Sequence, residues 1–150
     1  MTASVASIIR KLLLDSGAIH EASVRGVNKW PSFLATIPNE PDNLVVLSDT
    51  ASDKDGRLMT GEVIEHHGVQ FTVRANTYVA GYAKAKAIEQ AMDEVRNNTV
   101  ALGTGTAAVS YTVRCVRRNS SVLALGIDPS SDQRREFFSL NVFVTVNPTD

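Results

Sequence analysis

A chain of 150 residues with a formal charge of −1 falls in the size range of one domain. It lacks the basic surplus on which nucleic-acid binding draws. Its one cysteine, Cys115, excludes an intrachain disulfide and a cysteine-built zinc site and suits a reducing cytoplasm.

Near neutrality also removes the charge repulsion that keeps molecules apart, so self-association is permitted. The N-terminal apolar residues are interrupted by Arg10, Lys11 and Asp15, which is not the pattern of a secretion signal. Nor is there an apolar run of the roughly 20 residues that a membrane-spanning helix needs.

Val5, Ile8, Ile9, Leu12 and Leu13 recur at three-and-four spacing and predict an amphipathic helix. Ser4 is its expected N-cap and Gly17 its stop. Pro31, Pro38 and Pro41 argue against helix or central strand in the stretch that follows. Leu44 to Leu47 is a continuous apolar run, the pattern of a strand covered on both faces. Asp49 to Arg57 is polar and reads as an exposed loop. Val63 and Ile64 open a second strand, and Gly68 separates it from a third, in which Val69, Phe71 and Val73 alternate with Gln70, Thr72 and Arg74.

A second helix is predicted from Tyr78 to Arg96, capped by Asn76 or Thr77. Gly81, Ala85, Ile88, Met92 and Val95 share its apolar stripe, with small residues where the backbone would approach a sheet. Lys84, Lys86, Glu89, Asp93 and Glu94 read as a solvated face. Val109, Tyr111, Val113 and Cys115 alternate along a further strand, Val122 to Ile127 form a shorter one, and Asp128 to Asp132 a turn. The final strand places Phe138, Leu140, Val142, Val144 and Val146 on one face. Phe137 and Phe143 lie on its otherwise polar second face, either as a contact surface or beneath a covering helix. The expected fold is α+β, one domain over 1–150: a mixed or antiparallel β-sheet with two helices packed on one face, in the order α-β-β-β-α-β-β-β.

Motifs for chemistry are weak. His66 and His67 are neighbours on a strand and so point to opposite faces, and Glu65 with His67 makes only two ligands. Asp53, Asp55 and Gly56 resemble a calcium loop, but that loop needs glycine and glutamate where this chain has Leu58 and Ile64. Gly103-Thr104-Gly105-Thr106 lacks the lysine of a phosphate loop and reads as a flexible connection between helix and strand. Cys115 reads as a small buried hydrophobe, and His20 and the serines belong to no nucleophile motif. No catalytic residue, metal site or cofactor is expected. Arg114, Arg117, Arg118, Arg134 and Arg135 could face phosphates but lack interleaved aromatics; charged hairpin ends are the simpler reading.

Several strings, in their order, carry a resemblance. Pro38-Asn39-Glu40-Pro41-Asp42-Asn43 leads into the apolar strand ending at Asp49-Thr50; Gly68 to Arg74, the helix holding Ala83 to Met92, and a Phe- and Val-rich closing strand follow. Over most of residues 1–146 the chain resembles the tail-terminator and minor capsid proteins of long-tailed bacteriophages, which act in tail completion and head–tail joining. The resemblance implies a sheet flanked by two helices, no enzymatic step and no cofactor. It implies a homo-oligomeric ring, commonly a hexamer, on the head-proximal end of the tail tube in the virion, assembled in the host cytoplasm. Such a ring stops tube polymerisation, contacts the tail tube protein and the head or neck connector, and lets DNA pass without sequence-specific binding. Asp49, Thr50, Asp53, Lys54, Asp55 and Arg57, with Phe137 and Phe143, are the expected assembly-interface residues. The segment Arg117 to Asp132 departs from shorter members of the family. Another neck or head-completion connector is the alternative; a DNA-binding module or a small enzyme would belong to other classes.

Overall fold

The computed structural model describes residues 3–61, 63–127 and 134–148. Helix α1 is Val5–Ser16, and Ser4 caps it by accepting the Ser7 N–H at 3.2 Å. Gly17 ends it in the left-handed conformation at φ 80°, and the Ala18 N–H reaches back to the Leu13 carbonyl, a closure that glycine favours because it has no Cβ. Helix α2 is Tyr78–Asp93, with the Thr77 side chain accepting the Ala80 N–H. It stops short of the expected Arg96 because Arg96 pairs with Cys115 in a strand. A Cβ on Gly81 would lie 2.4 Å from Phe138 Cε2 and 2.9 Å from Ala75 Cβ, so the small residue lets α2 sit directly on the sheet.

Among the described residues the strands are β1 (Ser32–Leu34), β2 (Leu44–Arg57), β3 (Val63–Ala75), β4 (Arg96–Leu102), β5 (Val109–Arg118), β6 (Leu123–Ile127) and β7 (Glu136–Pro148). They form one sheet in the order β1-β2-β3-β7-β5-β4, with β6 paired to β7. The β1–β2 pair is parallel and the others are antiparallel. Helix α1 touches both β2 and β4, far apart in that order, so the sheet curls around it. Residues of both helices join Val45, Leu47, Val69, Phe71, Val73, Phe138, Leu140 and Val142 in one buried cluster. Each large apolar side chain so buried contributes roughly 1.5–3 kcal/mol.

The α+β class holds, while the described residues form seven strands instead of six: β1 and β4 are added, and two expected strands merge into β3. β1 is three residues long, and β4 carries little β-forming sequence. Gly68 does not divide two strands: β3 runs through it, and a Cβ there would fall 2.0 Å from Thr50 Oγ1 and 2.6 Å from the Ala51 carbonyl. Residues 49–57 are not a loop but the second half of β2. The Gly103–Thr106 segment joins two strands, with a turn of 3-10 helix at Gly105–Ala107. The turn expected at 128–132 lies outside the described residues.

Among the described residues no helix covers the second face of the sheet. At one end the proline-bearing segment lies over it. There Arg74 donates to the carbonyls of Asn39, Pro41 and Asp42 at 2.6–3.3 Å. Arg135 meets the Asp42 carboxylate at 2.7 Å and Asn39 Oδ1 at 3.2 Å. Both arginines are buried, so these bonds satisfy charges that would otherwise be costly there. Glu89, expected on a solvated face, is also buried. It accepts from Lys86 at 3.1 Å, Arg118 at 3.2 Å and the Val122 N–H at 3.3 Å, tying α2 to the chain between β5 and β6.

A candidate assembly surface

β3 pairs with β7 only as far as His67, which lies opposite Val144. Beyond it β2 and β3 continue as a two-stranded arm, Asp53 opposite His66 and Arg57 opposite Val63, with register shifts on either side of the Asp53–Lys54 pairs. Such irregularities increase local twist. Residues 49–61 are exposed throughout. At the tip Leu58 is exposed and Met59 fully so, at 108 %.

The root of the arm is fastened. The Asp49 carboxylate accepts the Ala6 N–H at 2.9 Å, a favourable place for negative charge because it is the positive end of the α1 dipole. His66 joins Thr145 Oγ1 at 3.0 Å through Nδ1 and Asp55 Oδ2 at 2.7 Å through Nε2. Ser52 donates to Glu65 across the pair at 2.8 Å, and this bond holds the Glu65 carboxyl below its ordinary range.

The expected interface residues therefore separate into groups. Asp49, Thr50 and Asp55 are engaged at or near the root, while Asp53, Lys54 and Arg57 are exposed along the arm. Phe143 lies opposite Gly68 on the second face, with the Arg117 guanidinium 5.2 Å from its ring centre. Phe137 is at the far end of β7, opposite Arg74 on one side and Gly126 on the other.

Sequence reading missed the surface beside Phe137. Leu123, Leu125 and Ile127 of β6 are 50 %, 59 % and 52 % exposed, on a strand that pairs with β7 along one side. Near it on the helix side, Tyr78 and Tyr82 are exposed and set their rings edge-on against Phe138, which lies opposite Ala124. The uncharged run Leu-Ala-Leu-Gly-Ile was visible; that it forms an edge was not, because pairing partners are set by the whole chain.

The side chains considered for chemistry are dispersed. Among the described residues no cluster of three or more His, Cys, Asp or Glu side chains is arranged to hold a metal. Cys115 is exposed rather than buried, because a register shift between Val113 and Cys115 breaks the alternation of β5. The arginines do not share one surface: Arg135 is buried, Arg118 binds Asp93 at 2.9 Å as well as Glu89, and Arg134 is near Glu136 at 3.4 Å. A cleft of about 140 Å³ lined by Arg25, Lys29, Asp42 and Asn76 is smaller than the roughly 300–1,000 Å³ of typical ligand sites.

His20 accepts the Trp30 N–H on Nδ1 at 3.0 Å. Burial, then the charges of Lys29 and Lys84, lower its pKa below the ordinary 6.5. Lys84 donates to the Ala18 carbonyl and approaches the Trp30 ring, and its own pKa is lowered by burial.

These features define a small α+β domain with a curled sheet, a projecting arm and an apolar strand edge. Its distinctive groups are backbone edges and aliphatic side chains. The chain belongs to the bacteriophage tail terminator family, whose family model matches residues 14–147. No curated protein matches it. Among solved structures it is similar to a chain in the cryo-EM structure of the anti-feeding prophage cap, described as the AFP tube terminating cap. The two are 15 % identical, with 69 % of this chain and 78 % of that one covered and a TM-score of 0.29.

Proposed function

We propose that this protein assembles as a ring on the head-proximal end of a phage tail tube, ends tube growth and offers the surface to which the head connector joins. Its role is structural, with no chemical step and no cofactor, and its place is the virion. The tail tube protein and the connector are its partners, and DNA passes through the ring without being read. The observation that carries this reading is the family match across nearly the whole sheet. The arm supports it: a strand pair reaching beyond the core provides a contact surface without disturbing the domain. Asp53, Lys54 and Arg57 are the arm residues assigned to contacts with neighbouring molecules. Phe143, at the root of the arm, and Phe137, beside β6, extend that surface onto the second face.

Electron microscopy of tails made by the phage with this gene disrupted tests the proposal. Overlong tails that fail to join heads are expected. Tails of ordinary length that carry heads would overturn it.

A further inference from the structure

Where the arm leaves the body, the backbone sets its direction only loosely. The β3–β7 ladder ends at His67 opposite Val144, and one step further Thr145 keeps only its β5 partner, Cys115. In β2 one register shift precedes the Asp53–Lys54 pairs and another follows them. Gly56, inside the second shift, is left-handed at φ 96°. An inserted residue lets a strand bend, and a two-stranded ribbon twists more than a sheet does.

Side chains supply what the ladder lacks. His66 holds the register position that would face Thr145 if β3 and β7 stayed paired for one more step. Its ring bridges that gap: Nδ1 meets Thr145 Oγ1 at 3.0 Å, and Nε2 meets Oδ2 of Asp55 at 2.7 Å. Asp55 itself lies in the second register shift of β2, so one imidazole joins β2, β3 and β7. A carboxylate only accepts, so Nε2 carries the proton; the Thr145 hydroxyl donates or accepts and suits Nδ1 in either protonation state. The bonds of Ser52 with Glu65 and of the Asp53 carboxylate with the Lys54 N–H stay inside the arm. Asp49 is tied to α1 at a position where β3 is still paired with β7. Among the described residues, the side-chain bond that crosses from the arm to β7 is the one between His66 and Thr145.

We infer that Asp55, His66 and Thr145 form a latch that fixes the direction in which the arm leaves the body. The Asp55–His66 pair is partly exposed, and pairs of that kind add little to overall stability. The effect of the latch is a single arm direction, presented to whatever the arm meets. The inference concerns one subunit and stands apart from the ring reading.

The test is a distance within one molecule. Spin labels on Arg57→Cys of the arm and Gln90→Cys of α2, in a Cys115→Ser background, report the arm's direction by pulsed electron paramagnetic resonance. All three positions are exposed. Labelled chains are diluted into unlabelled protein so that only distances within a subunit are read. The latched protein should give one narrow distribution. Thr145→Val, which removes the hydroxyl and keeps the branched shape, should broaden it or displace its centre; Thr145→Ser, which keeps the hydroxyl, should restore it. In Thr145→Val, hydrogen exchange should quicken roughly 3- to 10-fold at the amides of Asp53–Arg57, the scale of one net hydrogen bond, and stay unchanged at Val69–Val73. A distribution already broad before Thr145 is altered, one that Thr145→Val leaves as it was, or one that Thr145→Ser broadens as much as Thr145→Val would overturn the latch. So would exchange that quickens equally in arm and body, which would make Thr145 a packing residue.

Discussion

Leu44–Leu47 and Asp49–Arg57 belong to one strand and pair with the same partner, yet they are held by different physics. The first four residues are fully buried, with Val45 and Leu47 in the core beneath the helices. The later residues are exposed, and what keeps them extended is the ladder to β3 together with a few bonds at the root. An isolated pair of strands is marginally stable in water. The body thus specifies where the arm begins, and the arm is free of the demands of packing.

The largest effect that would sharpen this contrast comes from Phe71, buried in β3. Phe71→Ala should lower unfolding stability by about 3–5 kcal/mol, from lost transfer energy and the cavity left behind. Arg57→Ala, on the exposed arm, should change it by no more than about 0.5 kcal/mol. Denaturant titration reads both, and equal losses would break the division. Hydrogen exchange gives the same comparison residue by residue, with the amides of Val69–Val73 expected to be protected far longer than those of Asp53–Arg57.

Glu89 should have an intermediate effect. Glu89→Ala leaves Arg118 with Asp93 alone of its two carboxylate partners and takes the acceptor from the Val122 N–H. A cost of about 1–3 kcal/mol is expected, with faster exchange in β6 than in β3. Unchanged exchange in β6 would show that β7 alone holds that strand.

The smallest effect is a pH dependence within the body. His20 is held neutral, with its folded pKa below the ordinary 6.5, so the unfolded chain binds the proton more readily. Its contribution to stability is therefore present above about pH 6.5 and is lost as pH falls towards the folded value. His20→Gln should show a shallower decline in melting temperature than wild type between about pH 7.5 and about pH 5. Parallel curves would mean that His20 titrates alike in both states.

Elements held by burial were legible in the sequence. Both helices, their caps at Ser4, Gly17 and Thr77, and the alternating strand from Phe138 to Val146 were visible because one face of each meets the core. The outer half of β2 was not: both of its faces meet solvent, so no alternation marks it, and its polar residues look like a loop. β4, Arg-Asn-Asn-Thr-Val-Ala-Leu, has a single buried residue, so no alternation marks it as a strand, and the expected helix overruns its first residue. Gly68 looked like a break because the sequence does not show Thr50 and Ala51 pressing against it. Of the proposed assembly surface, the charged residues from Asp49 to Arg57 stand out by composition and Phe137 and Phe143 by parity. The β6 edge required topology, since exposure of a strand's side depends on which strands fail to cover it.

The position of β7 has a consequence for how the molecule is made. This strand, the last in sequence among the described elements, lies in the interior of the sheet, with β3 on one side and β5 and β6 on the other. During synthesis the earlier strands leave the ribosome with those sides unpaired, and Arg135 has not yet emerged to lock Asp42 in place. The nascent chain must hold back from wrong pairings until β7 arrives, so the sheet closes only after translation has passed Val146. A ribosome stalled before that point would release not a slightly shorter subunit but two half-sheets with no centre.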